Sequence, residues 1–415
     1  MKQNSRRRAR IGAIALGAGL AMSLGACSSG GGGGGGSSES DGLTMLIGSS
    51  GDAETSAVQA AADAWAEEND TTVEVVAASD LTQQLSQGFA GDDAPDLFYM
   101  SWDQFATYAS QGYLEPYAAD LPNAGEFYPT LSETFTYDGE FTCAPKDFST
   151  LGLIINTDLW AAAGLTDADI PTDWASLESA AQRLTSGDTV GLSFGLEYAR
   201  VGVFMNQAGG SLVDEDGTTV TADSAENVAG LEFVQKLHDS GSLRFPSELD
   251  AGWGGEALGA GKAAMVIEGP WIKGIEGDYP DTNYAAYELP AGPGGESTFT
   301  FTNCWGIPAN SDTTDQATSL VEFLTTDEQQ LEFADAFGVI PSTQSAAATY
   351  AETYPENASF VAGNEYAVSP VNFAGSATVI ADFNSQLAGL IGGSAQDILG
   401  SLQTDLQAAL DEVNG

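Results

Sequence analysis

Apolar residues along the chain fall into short runs separated by longer amphipathic stretches. The run Leu43–Ile47 predicts a strand, and Val58 and Trp65 after it share one face of a predicted helix. The same order returns with the run "TTVEVVAAS", a helix capped by Asp80 and a third strand after Pro95. Strands that alternate with helices are typical of an α/β fold with a mostly parallel sheet covered on both faces.

A second alternating series follows in the later part of the chain. Helical spacing predicts a helix opened by Asp173 and another over "DSAENVAGLEFVQKLHDSG". Two short strands are predicted from "KAAMVIEGP" and "TNCWGIPANS". Further helices are predicted over 314–325 and 327–337, and apolar residues keep helical spacing from 377 to 413.

The first 42 residues follow a different pattern. Lys2 and four arginines precede an uncharged apolar run over 11–26. This is the pattern of a signal peptide over 1–26, and the run is too weakly apolar for a membrane-spanning helix. "SRRRAR" leaves a twin-arginine export route open beside the general secretory route. Glycine and serine then dominate 27–42, which predicts a flexible tether.

The end of the apolar run, "LGAC", resembles the lipobox of bacterial lipoproteins. The resemblance implies cleavage before Cys27 and lipidation of Cys27. Buried acyl chains hold a protein at a membrane surface. We therefore expect an exported protein, anchored by lipid to the outer face of the cell membrane.

The composition limits the possible partners. The chain has 415 residues, with 59 Asp and Glu against 12 Lys and Arg. Five of these basic residues lie within the first ten positions, so the rest of the chain is strongly acidic. Such a surface repels nucleic-acid phosphates and anionic lipid, which excludes nucleic-acid binding. The length beyond the tether suffices for two domains.

Motifs for catalysis are weak. "GLSFG" over 191–195 matches the pattern around the serine nucleophile of hydrolases, with Ser193 at its centre. Its base would have to be His238, the only histidine of the chain. "GAGKAA" over 259–264 lacks both the first glycine and the Ser or Thr of a phosphate-binding loop. We therefore predict no cofactor and no metal, although the many carboxylates leave a glycoside hydrolase open.

Two cysteines, Cys143 and Cys304, remain beside Cys27. In an exported chain they can form a disulfide, or they can be two small buried apolar residues. A zinc site is disfavoured because the chain has only one histidine.

Three segments in order resemble a known family. "YDGEFTCAPKDFSTLGLIINTDLW", "GKAAMVIEGPWIKGI" and "NCWGIPANSDTTDQATSLVEFLTTDEQQLEFADAFGVIPS" are similar to segments of the bacterial extracellular solute-binding proteins of the maltose-binding type. These proteins are the carbohydrate-capture subunits of ABC importers. The resemblance implies a two-lobed periplasmic-binding-protein-like fold (type II), in which each lobe is a mostly parallel sheet flanked by helices and crossing strands form the hinge.

The resemblance also implies the boundaries of the lobes. The N-terminal lobe would comprise 43–143 and 303–341, and the C-terminal lobe 145–302 and 342–415. Cys143 and Cys304 would then both lie on the crossing strands, close enough for a disulfide.

By the same resemblance, the protein is not an enzyme and works as a monomer. It would capture a sugar or oligosaccharide by hinge closure and deliver it to the transmembrane subunits of an ABC permease. Two alternatives stay open: the same scaffold binding another solute such as a polyamine, and an exported glycoside or ester hydrolase.

Candidate ligand-binding residues are aromatic or polar and follow predicted strands. Aromatic rings can cover the C–H faces of a sugar, and charged or amide groups can bind its hydroxyls. For Trp102 an ordinary packing role has equal weight, and Trp65, Trp160 and Trp174 are predicted core residues. The candidates are Ser50, Asp52, Trp102, Lys146, Asp147, Ser149, Glu197, Tyr198, Arg200, Trp271, Asn303 and Trp305.

Overall fold

The computed structural model describes residues 42–91, 93–214, 217–309 and 311–414. The predicted signal peptide, Cys27 and all of the tether except Gly42 therefore lie outside the described residues. Within the described ranges, none of the helices is long and apolar enough to cross a membrane.

The described residues form thirteen strands and fifteen helices. The strands are β1 (Leu43–Ile47), β2 (Val73–Ala77), β3 (Leu97–Ser101), β4 (Thr136–Tyr137), β5 (Glu140–Phe141), β6 (Ala144–Thr150), β7 (Gly152–Asn156), β8 (Val190–Ser193), β9 (Ala263–Glu268), β10 (Tyr284–Tyr287), β11 (Thr298–Gly306), β12 (Ile340–Pro341) and β13 (Ala367–Val368). The helices are α1 (Asp52–Glu68), α2 (Leu81–Ala90), α3 (Trp102–Ser110), α4 (Pro129–Thr134), α5 (Thr157–Ala162), α6 (Trp174–Leu184), α7 (Tyr198–Gln207), α8 (Ala225–Asp239), α9 (Gly254–Gly259), α10 (Thr314–Leu324), α11 (Asp327–Phe337), α12 (Gln344–Thr353), α13 (Ala358–Gly363), α14 (Ser376–Leu387) and α15 (Ala395–Asn414).

Two main sheets organise these elements. The first has the strand order β12-β6-β11-β3-β1-β2, with β13 paired to β11. The second has the order β10-β7-β9-β8. Strand β6 leads almost directly into β7, so the chain passes from the first sheet to the second within a few residues.

The expectation of mostly parallel sheets needs correction, because both sheets are mixed. Strand β1 runs parallel to β2 and β3, and β8 runs parallel to β9. Strands β6, β11 and β12 pair in antiparallel fashion, as do β7, β9 and β10. A buried apolar run has the same pattern in either direction, so hydrophobicity alone does not determine strand direction.

Capping residues fix several helix ends as the sequence predicts. Asp80 accepts a hydrogen bond from the Gln83 N–H at the start of α2, and Asp173 caps α6 through Ser176. The helical pattern over 377–413 is divided into α14 and α15, and Gly392 between them has a positive φ of 80° that other residues rarely adopt.

The predicted core tryptophans lie inside or against the core. Trp65 and Trp160 are buried. Trp174 is half-buried and stacks on Phe233, with the ring centres 4.1 Å apart.

A disulfide joins Cys143 and Cys304, whose Cα atoms are 5.7 Å apart. Cys143 immediately precedes β6, and Cys304 lies opposite Pro145 in β11. The bond therefore ties the start of β6 to its neighbouring strand, at a separation of 161 residues in sequence.

Candidate functional site

One edge of the first sheet gathers several candidate residues. Because β1 and β3 are parallel neighbours, their carboxyl ends lie at the same edge. The loop after β1 contains Ser50, and Trp102 follows β3 directly as the first residue of α3. This edge therefore presents a polar loop beside a half-buried indole ring.

The second sheet has a corresponding edge at the carboxyl ends of β8 and β9. Glu197 and Arg200 follow β8, at the start of α7. Glu268 is the last residue of β9, and Trp271 follows it in a 3-10 turn. Trp271 is 38% exposed, one of few large apolar side chains with so much contact with solvent.

Phe301 in β11 connects the aromatic residues of the two edges. Its ring centre lies 6.2 Å from that of Trp102 and 6.3 Å from that of Trp271. We call these three rings the aromatic strip. Phe301 is not among the residues predicted from the sequence, although the alternating stretch "TFTFTN" before Cys304 indicates an apolar side chain facing the same way as Asn303.

A network of charged groups adjoins the aromatic strip, and we call it the Arg200 network. The Arg200 Nη1 and Nη2 groups donate hydrogen bonds to Glu197 Oε1 at 2.7 Å and to Glu268 Oε2 at 2.6 Å. The Trp271 Nε1–H also donates to Glu268 Oε2, at 3.0 Å. The guanidinium carbon lies 5.6 Å from the Trp271 ring centre, which is within the range of a cation–π contact.

The Arg200 network leaves one donor free. The Arg200 Nε is buried, and among the described residues it has no hydrogen-bond partner. Glu268 is buried as well, whereas the Glu197 side chain is 45% exposed. Glu268 is not among the residues predicted from the sequence, although it ends a continuous apolar strand and immediately precedes the "GPW" motif.

Two pockets flank the first turn of α7. One, of about 370 Å³, is lined by Glu197, Arg200, Trp253, Glu268 and Trp271 among others. The other, of about 240 Å³, is lined by residues that include Trp102, Asp103, Tyr198 and Asn384. Aromatic faces and hydrogen-bonding groups therefore occur together in both pockets.

Other candidates lie near the same edges. Ser50 and Asp52 are exposed at the end of β1 and the start of α1. Ser149 lies opposite Phe301 on the neighbouring strand β6, and Asn303 lies opposite Ser101 of β3. Ser149 and Asn303 are both half-buried.

The side chains of four candidates are buried, and this burial argues against direct contact with a ligand. Trp305 is 0% exposed and packs edge-to-face on Tyr99. The last three residues of β11 are all buried, so both faces of the strand are covered at Trp305. Lys146, Asp147 and Tyr198 are buried too. Lys146 forms ion pairs with both Asp147 and Glu54.

Ser193 and His238, the pair that a serine hydrolase would need, have no hydrogen bond to each other. Ser193 is buried, and its Oγ has no hydrogen-bond partner in the part of the chain that the structure describes. His238 Nε2 pairs instead with Glu248 Oε1 at 3.0 Å. A serine nucleophile needs a base within hydrogen-bond reach, so this arrangement does not activate Ser193.

No group of three or more His, Cys, Asp or Glu side chains within the described ranges is arranged to hold a metal ion. The site therefore consists of aromatic rings, carboxylates, one guanidinium group and amide or hydroxyl groups.

Comparisons with known proteins identify the family and the fold of this chain. Residues 60–361 match the family described as bacterial extracellular solute-binding protein. The ABC substrate-binding protein from Listeria monocytogenes in complex with cycloalternan superposes with a TM-score of 0.78 at 22% identity, over 89% of this chain and 99% of that one. The GacH receptor of Streptomyces glaucescens matches with a TM-score of 0.78 at 22% identity, over 90% of this chain and 99% of that one.

A third similar structure is the Thermus thermophilus maltotriose binding protein. It matches with a TM-score of 0.73 at 21% identity, over 89% of this chain and 100% of that one. These likenesses confirm the predicted two-lobed, periplasmic-binding-protein-like α/β fold. Because the family match covers most of the chain, the protein belongs to the bacterial extracellular solute-binding proteins, a family of exported proteins that bind a solute.

Proposed function

We propose that the protein captures a neutral sugar or oligosaccharide between the two sheet edges and delivers it to the permease of an ABC importer. The observation on which this rests is the aromatic strip of Trp102, Phe301 and Trp271 beside the Arg200 network. Aromatic rings cover the apolar faces of sugar rings, and charge-assisted hydrogen bonds suit their hydroxyls. The Arg200 side chain is 15% exposed and that of Glu197 45% exposed, so a sugar hydroxyl can form hydrogen bonds with this network.

The charge of the site favours a neutral ligand over an anionic one. Arg200 is the one basic residue among the described residues that line the two pockets. Its guanidinium group already pairs with two carboxylates. A phosphate or sulfate ester would therefore meet Glu197 and Asp103 without a free cation to balance its charge.

The ligands of the similar structures support a carbohydrate. The protein from Listeria monocytogenes was solved with cycloalternan, the GacH receptor with acarbose and the Thermus thermophilus protein with maltotriose.

The proposal includes hinge closure of two lobes, 43–143 with 303–341 and 145–302 with 342–415. Closure around a ligand is a common motion of two-lobed proteins. It also includes lipidation of Cys27, with 27–42 as the tether that holds a monomer at the outer face of the membrane, and the absence of any catalysed reaction.

A polyamine is the second candidate ligand. The exposed part of Glu197 and the half-buried Asp103 offer carboxylate oxygens to an ammonium group. Like the sugar, a polyamine has an apolar portion that aromatic rings can cover.

Thermal unfolding of the exported protein with each ligand class tests the proposal. Maltotriose represents neutral oligosaccharides, spermidine the polyamines and glucose 6-phosphate the anionic sugars. A ligand at about 100 times its dissociation constant stabilises the folded state by about 2.7 kcal/mol. We expect stabilisation by neutral saccharides alone. Stabilisation by spermidine alone would favour the second candidate, and no response to a broad panel of saccharides would contradict sugar binding.

A further inference from the structure

A buried charge cluster lies beneath the loop that follows β1. Its members are Glu54, Lys146 and Asp147, which are 5%, 4% and 6% exposed. Lys146 Nζ lies 3.3 Å from Glu54 Oε1 and forms a closer contact with Asp147 Oδ2. The three residues come from α1 and from β6, the strand through which the chain passes to the second sheet.

Glu54 binds two different parts of the molecule with its two carboxylate oxygens. Its Oε2 accepts hydrogen bonds from both the N–H and the Oγ of Ser50, each at 2.7 Å. Its Oε1 accepts from the Tyr99 hydroxyl at 3.0 Å and from Lys146 Nζ at 3.3 Å. One oxygen therefore fixes the loop after β1, and the other contacts β3 and β6.

Lys146 is enclosed on the opposite side by aromatic rings. Its Nζ lies 4.5 Å from the centre of the Tyr99 ring and 5.1 Å from that of Phe337 in α11. Asp147, its neighbour in β6, lies opposite Asn303 of β11 and Pro341 of β12. The cluster therefore contacts β3 through Tyr99, and it includes two residues of β6, which pairs with β11 and β12.

Because the cluster is buried, its charged groups depend on one another and on nearby hydrogen-bond donors. Burial alone would raise the pKa of Glu54, but the charge of Lys146 and the hydrogen bonds from Ser50 outweigh it and hold the pKa below its ordinary value. Burial raises the pKa of Asp147, although Lys146 partly offsets it. An ionised, buried Glu54 needs its donors, so a loop conformation that withdraws Ser50 leaves the carboxylate poorly solvated.

We propose that Glu54 is a positioning residue that holds the Ser50 loop in its ligand-binding conformation and couples that loop, through Lys146, to strand β6. Ser50 touches the ligand, whereas Glu54 acts only through Ser50. The inference rests on the proposed function, because it assigns the loop after β1 to the sugar site.

The first test compares Glu54→Gln with Glu67→Gln, which removes an exposed carboxylate from the same helix. Calorimetry with maltotriose on the exported protein should show about tenfold weaker binding for Glu54→Gln and wild-type binding for Glu67→Gln. A Glu54→Gln protein that unfolds at a lower temperature but binds maltotriose as tightly as the wild type would overturn the proposal. Such a result would leave the cluster with a purely structural role.

A double-mutant cycle tests whether Glu54 acts through Ser50. Ser50→Ala should weaken maltotriose binding. In the variant that carries both Ser50→Ala and Glu54→Gln, the total loss of affinity should be much smaller than the product of the losses in the two single variants. If the loss of affinity in the double variant equals the product of the two single losses, Glu54 does not act through Ser50. Ser50 is exposed, so Ser50→Ala gives a result even where Glu54→Gln fails to fold; wild-type affinity of Ser50→Ala would also overturn the proposal.

Hydrogen exchange separates this inference from the proposed function. In the ligand-free protein, Glu54→Gln should raise amide exchange in 48–51 far more than in the neighbouring strand β3. Uniform exchange changes would contradict the positioning role whether or not maltotriose binds. Failure of the wild type to bind any saccharide, with selective loosening of 48–51, would instead contradict only the sugar assignment.

Discussion

The position of Trp271 depends on the glycine two residues before it. A Cβ atom on Gly269 would lie 2.3 Å from the Trp271 ring, a separation that real Cβ atoms do not show. The ring lies over the backbone of Gly269 and donates from Nε1 to Glu268. A side chain at 269 would therefore push the indole away from both Glu268 and Arg200.

Gly269→Ala should weaken saccharide binding about tenfold, because overpacking of this kind costs about 1–3 kcal/mol. Gly274→Ala is the matched control, since a Cβ there would meet no atom within 4 Å. Calorimetry of both variants checks the prediction. Equal affinities for the two variants would show that the placement of the ring is not important for binding.

Removal of the ring itself should have a larger effect on binding than on folding. We expect Trp271→Ala to reduce saccharide affinity at least tenfold, because an aromatic face contributes both buried area and specific contacts. The side chain is 38% exposed, so the free energy of unfolding should change little. Val76→Ala, at a side chain that is 41% exposed in β2, is the control and should bind as the wild type does. Binding by Trp271→Ala at wild-type strength would exclude this surface as the site.

The lowered pKa of Glu54 predicts a specific loss of stability in acid. The folded state binds this proton less tightly than the unfolded state, so the ionised carboxylate stabilises the fold above its ordinary pKa of 4.5. That contribution disappears as the pH falls through the lower pKa of the folded state. Urea unfolding at about pH 7 and about pH 3 should show the difference in stability between the wild type and Glu54→Gln shrinking in acid. The pKa of Asp147 is raised by burial, so its own contribution to stability changes with pH in the opposite sense. A pH-independent difference between the two proteins would contradict the prediction.

Among individual residues, the sequence predicts the aromatic side chains at the sheet edges better than the groups that they contact. Trp102 and Trp271 directly follow apolar strands, a position that places side chains at a sheet edge. Phe301 lies within β11, and only the packing of the strands and loops shows that it contacts these rings. Glu268 ends β9, and its hydrogen bond from Arg200 joins residues 68 positions apart. The same limitation explains Trp305, since its burial depends on elements far away in sequence.

At the scale of elements, the disulfide holds two neighbouring strands of the first sheet. Cys143 and Cys304 are both buried, and their bond closes a loop of 161 residues. Closing so long a loop restricts the unfolded chain, and loss of a native disulfide typically costs about 2–5 kcal/mol.

The variant with Cys143→Ala and Cys304→Ala should therefore be less stable by about 2–5 kcal/mol in urea unfolding. Addition of a reductant should lower the stability of the wild type and leave the variant unchanged. A wild type that is insensitive to reductant, with free thiols detected after unfolding, would contradict the disulfide.

The sequence predicts helices and strands that have local patterns of capping or apolar residues. It does not predict the direction in which each strand runs within its sheet. Capping residues and periodic apolar faces identify α2 and α6 directly. The antiparallel pairing of β11 with β3 and β6 joins residues about 150 to 200 positions apart. No local pattern records that pairing, and only the family resemblance indicated it as crossing strands.

At the scale of the whole molecule, the formal charge of −47 dominates the electrostatics. Like charges repel in the compact state, and salt screens them over about 8 Å at physiological ionic strength. The melting temperature of the exported protein should therefore rise as sodium chloride is added, which scanning calorimetry can measure.

Salt also distinguishes the two candidate ligands. Affinity for a neutral saccharide should change little between low and high salt, whereas affinity for spermidine should fall steeply. If maltotriose affinity falls steeply with salt, the binding between the two sheet edges depends on charge, which would contradict the proposed recognition of a neutral sugar.

The most direct test of the central claim is a crystal structure of the exported protein grown with the saccharide that stabilises it most. We predict a sugar ring against Trp271, with a sugar hydroxyl within hydrogen-bond distance of Glu197 or of the Arg200 guanidinium group. A saccharide bound away from the aromatic strip, or a cleft without saccharide at saturating concentration, would contradict the account.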